Sequence, residues 1–149
     1  MGWPPILRRL CDCFRHGISG KPTGYGVRRL SIYCCTTAGF EIPFRPEECK
    51  TCHLAGCLGW EEFALGDRRI EYHKGQEGYV PEAGDIVLYD RVFENKEHDH
   101  MGIVLDKREG TILVAEGNVN NISGIIERPI DEHIRAYIRI PDGYRYREE

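Results

Sequence analysis

Nothing in this chain of 149 residues is apolar for long enough to cross a membrane as a helix, because no run of about 18 apolar residues occurs. The opening Met1-Gly2-Trp3-Pro4-Pro5 lacks the charged and then apolar segments of a secretory leader. Leu7 stands where a myristoylation signal wants Ser or Thr. A surplus of basic charge is missing too: 20 Lys and Arg against 24 Asp and Glu give a net charge of -4. That balance argues against nucleic acid as a partner. Cysteine is absent after Cys57, although seven fall within the first 57 residues: Cys11, Cys13, Cys34, Cys35, Cys49, Cys52 and Cys57. An odd number fits a reducing compartment better than a disulfide framework. The expectation is synthesis in the cytoplasm of a single, monomeric domain over residues 1–149, with no internal repeat.

The periodicity predicts helices first and strands second. Residues 5–16 place Ile6, Leu7, Leu10 and Phe14 on one stripe. The glycine-rich stretch from Gly17 to Gly26 reads as a loop. Residues 27–38 read as a second helix closed by Gly39, and residues 47–66 as a third helical region, broken at Gly56 or Gly59, with Trp60 and Phe63 inward. From Tyr72 onward, short runs rich in Val, Ile and Tyr alternate with turns. They are Ile86 to Tyr89, Met101 to Leu105, Thr111 to Ala115, Gly124 to Arg128 and Ile134 to Ile140. A helical part over about 5–66 packed on an antiparallel sheet over about 72–141 makes an α+β domain.

The chemistry concentrates in Asp99-His100-Met101-Gly102-Ile103-Val104 and Glu116-Gly117-Asn118. A histidine enters one apolar strand, and a carboxylate and a carboxamide close the next. Antiparallel pairing through the turn at Lys107 to Gly110 sets these side chains beside each other, so that Glu116 or Asn118 can fix the imidazole tautomer.

With Pro81-Glu82-Ala83-Gly84-Asp85-Ile86-Val87-Leu88-Tyr89 ahead and Tyr137-Ile138-Arg139-Ile140-Pro141 behind, these segments resemble the CHAP branch of the NlpC/P60 cysteine peptidases over residues 80–141. The resemblance implies a papain-like fold and a peptidoglycan hydrolase, an amidase or endopeptidase cutting wall peptides, without a cofactor. It implies that His100 is the general base, oriented by Glu116 or Asn118, because a thiol needs a base or a helix N-terminus to become a thiolate. It also implies a cysteine at a helix start, and two placements stay open. Tyr33-Cys34 can stand for the family's Trp-Cys, making Cys34 the nucleophile with Cys35 beside it. Alternatively Ala38-Gly39 marks the helix end, and the nucleophile position falls near Val27, where Gly26 to Ser31 holds no cysteine. Cys34 lies about 10 Å further along such a helix, so His100 cannot reach both places.

Two other classes compete with the hydrolase. One is a catalytically inactive domain that binds wall peptides or a protein partner through the same cleft. The other is a zinc-stabilised binding module using Cys49, Cys52, His53 and Cys57, four soft ligands within nine residues, with Cys11 and Cys13 as a further pair. Cys49-Lys50-Thr51-Cys52-His53 also matches the haem-attachment pattern, which requires export. His98 and His100 would share a face if both lay on a strand, but His98 reads better as the end of a charged loop. Asn121-Ile122-Ser123 reads as a turn, Asp85 as a turn cap, and His16 and His73 as surface residues.

Overall fold

The computed structural model describes Cys35, residues 39–119 and residues 122–147. The expected helices over 5–16 and 27–38 lie outside the described residues. Gly39 has φ 97°, and the Phe40 N–H donates to the Cys35 carbonyl at 3.0 Å.

The described chain is a six-stranded antiparallel sheet with a single helix, α1, Cys57–Gly66. The strands are β1 Glu71–Lys74, β2 Ile86–Tyr89, β3 His100–Arg108, β4 Thr111–Val119, β5 Ile122–Pro129 and β6 Ile134–Arg139. They stand in the order β1-β6-β2-β3-β4-β5. This corrects the expected α+β arrangement of N-terminal helices packed on a sheet: the described residues are predominantly β. No helix among the described residues is long and apolar enough to cross a membrane.

The third helical region is where prediction and structure part most clearly. Residues 47–56 are turns rather than helix. Pro46 starts a tight turn closed by the Cys49 N–H, and the Leu54 N–H reaches back to the Phe44 carbonyl. The Lys50 and Thr51 N–H groups bond to the Glu62 carboxylate instead of to helical carbonyls (2.8 and 3.1 Å). A backbone whose donors are satisfied this way gains nothing from winding. The helix begins only after Gly56, whose carbonyl accepts from the Trp60 N–H.

Alternation along the strands sends apolar side chains to both faces. Ile86 and Leu88 of β2, with Ala136 and Ile138 of β6, pack with Trp60, Phe63 and Ala64 of α1, together with Cys35, Cys49, Leu54 and Cys57. Val87 and Tyr89 lie on the opposite face with Val104, Ile112, Val114, Ile134 and Tyr137. Trp60 and Phe63 are fully buried, each contributing about 1.5–3 kcal/mol by burial. Asp85 caps the turn before β2 by accepting from the Glu82 N–H and Tyr79 hydroxyl. It also pairs with both donors of the Arg139 fork on β6. Gly110, at φ 70° in the β3–β4 turn, takes a conformation other residues rarely adopt.

Candidate active site

The register determines which residues share the site. His100 is paired with Tyr89, and Val87 with Gly102. Gly102 is paired in turn with Glu116, and Val104 with Val114. His100 and Glu116 therefore project from the face of Tyr89 and Val87, away from α1. Glu116 lies opposite Gly102 rather than opposite His100, so its side chain must lean across the glycine. A Cβ on Gly102 would come within 3.0 Å of Glu116 Cγ. The missing side chain of Gly102 leaves the path clear.

His100 Nε2 stands 2.5 Å from Glu116 Oε1. Glu116 is wholly buried, and the Arg128 fork closes on it from β5: Nε donates to Oε2 at 2.8 Å and Nη2 to Oε1 at 2.6 Å. Burial would raise the Glu116 carboxyl above its usual range, but hydrogen bonds from Arg128 and His100 outweigh it and hold the group low. An ionised carboxylate only accepts, so His100 Nε2 carries the hydrogen. In the neutral ring the lone pair is then on Nδ1. The imidazole stacks on Tyr89, centroids 5.8 Å apart, and meets Phe93 edge-on at 4.6 Å. Arg128 also lies over the Phe93 and Tyr89 rings, at 5.4 and 5.8 Å. Such a group is an oriented base in an aromatic setting, suited to taking a proton from a neighbouring nucleophile.

Of the predicted site residues, His100 and Glu116 are in contact. Cys34 lies outside the described residues, and so does the side chain of Asn118, whose backbone belongs to β4. Cys35 is buried in the cluster around α1. Cys57, in the first turn of α1, reaches His100 only through its backbone, Sγ donating to the carbonyl at 3.4 Å. Burial first, then the Glu61 carboxylate, push this thiol up to about 12. Cys49 donates to the Gly59 carbonyl at 3.2 Å, and burial lifts its thiol to about 11. Both sulfurs belong to the α1 side of the sheet, whereas the imidazole belongs to the other.

Of the residues read as zinc ligands, Cys49, His53 and Cys57 have other partners, and the further pair Cys11 and Cys13 lies outside the described residues. Cys49 faces Gly59, Cys57 faces His100, and the His53 ring stacks on Phe44 at 4.5 Å. Among the described residues no three His, Cys, Asp or Glu side chains converge as metal ligands.

A second polar cluster occupies the α1 side. Glu61 accepts from Arg135 Nε at 2.6 Å, Arg135 Nη2 at 3.0 Å, the Tyr72 hydroxyl at 2.7 Å and His98 Nε2 at 2.9 Å. Asp90 accepts from Arg135 and from the His98 N–H. The cluster ties α1, β1 and β6 to the loop that carries Phe93.

Reading motifs along the chain missed Arg128. The register supplies the signal: counting by twos from Gly124, the partner of Glu116, puts Ile126 and Arg128 on the Glu116 face. An arginine at such a position needs a buried anion. No protein-family model matches this chain, and no curated protein matches it.

Proposed function

We propose that the chain is a peptidoglycan hydrolase of the CHAP type, acting on the peptides of bacterial cell walls by thiol-dependent acyl transfer. The observation that carries the reading is the His100–Glu116 contact, a half-buried base held by a buried, ionised carboxylate beside two aromatic rings. In this reading His100 Nδ1 takes the proton from a cysteine thiol as sulfur attacks an amide carbonyl. The imidazolium then protonates the departing amine. Water, activated by the same ring, hydrolyses the thioester and restores the thiol. Cys34 is the cysteine that the resemblance assigns to this step, Tyr33-Cys34 standing for the family's Trp-Cys; Cys49 and Cys57 are protonated and engaged with backbone carbonyls on the α1 side.

Incubation with purified peptidoglycan, scoring new amino groups, tests the assignment. Release should fall at least a hundredfold in His100→Ala and in Cys34→Ser, following the usual weight of a general base and a nucleophile. Full release by Cys34→Ser would refute the role of Cys34.

The placement of Cys49 and Cys57 favours a second reading, a domain that binds wall peptides without turnover. It predicts no amine release from any wall preparation, together with saturable binding of stem peptides that His100→Ala weakens. Thiol-dependent release by the native chain would exclude it.

A further inference from the structure

We propose that Arg128 is the positioning residue of this site: its fork on both oxygens of Glu116 orients the carboxylate and balances its charge, keeping His100 a usable base. The inference deepens the hydrolase reading and rests on it for its catalytic meaning.

The geometry shows why such a residue is needed. A wholly buried carboxylate 2.5 Å from an imidazole would favour the imidazolium strongly if nothing else opposed it. A ring already protonated at neutral pH cannot accept the thiol proton. Arg128 Nη2 and His100 Nε2 share the single atom Oε1, while Arg128 Nε occupies Oε2. The guanidinium therefore meets the anion on both oxygens and leaves only part of its field for the imidazole. The fork also fixes the plane of the carboxylate, and through it the direction of the Nε2–H bond. A lysine carries the same charge but presents a point rather than a fork.

The groups facing His100 come from every neighbouring element. Glu116 stands on β4 and Arg128 on β5, while the Tyr89 ring stacks from β2. Asp99 precedes His100 in the chain, and the Cys57 thiol of α1 touches its carbonyl. The first two alone bond to one another and act on the ring edge, so the balance is set between them.

The test is the titration of His100, followed by NMR on histidine-labelled protein in the resting state. The His100 signal is identified by its loss in His100→Gln. In Arg128→Met the midpoint should rise by about one pH unit, the usual effect of an unbalanced neighbouring carboxylate. In a Glu116→Gln background the same substitution should move it by less than half as much. In Arg128→Lys the midpoint should stay near the native value, while the ring nitrogen shifts report loss of the fixed Nε2–H tautomer. A rise below about half a unit in folded Arg128→Met overturns the proposal. A fully retained tautomer in Arg128→Lys overturns it as well, and that variant decides the matter should Arg128→Met fail to fold. The titration needs no turnover, so a chain that hydrolyses nothing still reports on Arg128. Hydrolysis with an unmoved midpoint would leave the hydrolase reading intact and remove the role of Arg128.

Discussion

Glu61 makes the sharpest prediction about stability, because acid alone can switch off its part of the structure. Its buried carboxylate receives four hydrogen bonds from three separate segments: β6 through Arg135, β1 through Tyr72, and the 90–99 loop through His98. Burial by itself would raise the carboxyl. The bonds from Arg135, His98 and Tyr72 overcome that penalty and bring it from an ordinary 4.5 down to about 2. A folded-state value below the unfolded one means the folded chain holds its proton less tightly. The stabilisation is therefore complete above about pH 5 and is lost as pH falls towards 2. A drop of about 2.5 pH units corresponds to about 3 kcal/mol.

Glu61→Gln removes the titration while keeping the shape. At pH 7 the variant should be destabilised by about 3 kcal/mol, the lower end for breaking a buried pair, since Arg135 keeps Asp90 and Glu97 as partners. Urea denaturation of both proteins at pH 7, 5, 4, 3 and 2.5 measures the gap between them. It should hold steady down to about pH 5 and then close, with most of the closure complete by about pH 3. Asp67 is also depressed to about 2, where bonds from Arg69 and Tyr144 outweigh burial. It steepens both profiles equally and drops out of the difference. Parallel profiles from pH 6 to 2.5 would refute the reasoning, for the cluster would then contribute nothing tied to the charge of Glu61.

Three further outcomes follow from packing and burial. Gly102→Ala should cost about 1–3 kcal/mol by overpacking, because its Cβ would stand 2.9 Å from the Ala115 carbonyl oxygen; thermal denaturation measures the cost, and an unchanged midpoint counts against the close approach. Trp60→Ala should cost about 3–5 kcal/mol, since the ring is fully buried and its N–H donates to the Leu54 carbonyl at 2.8 Å; a loss below about 1 kcal/mol in urea would be inconsistent with that packing. Iodoacetamide at pH 8 should label the partly exposed Cys52 before the buried Cys49 and Cys57, and peptide mass mapping showing Cys57 first would contradict its burial.

The sheet was largely legible because its signal is local. Ile86-Val87-Leu88-Tyr89 reads as a strand from composition alone, and all four residues are buried in β2. The pairing of β3 with β4 follows from two such runs separated by a glycine turn, and it brings Glu116 to His100. The turns over 47–56 were not legible, because they depend on Glu62, more than ten residues away, capturing the Lys50 and Thr51 N–H groups. Arg128 was hidden for a related reason: its partner is twelve residues distant, and only the strand register shows that both side chains share a face.

The two histidines at the head of β3 show how one backbone angle can divide a polar motif. Strand alternation would place His98 and His100 on one face, like a ligand pair. His98 instead has φ 54°, in the left-handed region, which breaks the alternation just before the strand begins. Its ring turns to Glu61 on the α1 side, while His100 turns to Glu116 on the other. Each carboxylate is closed by an arginine donating Nε to one oxygen and Nη2 to the other. The sheet thus holds a His–Glu–Arg set on each face, joined through residues 98–100. The loop between Asp90 and Asp99 is pinned by the Glu61 set and carries Phe93 to the ring of His100. Loosening the pinned end should therefore be felt first at Phe93, before the His100–Glu116–Arg128 contacts themselves give way.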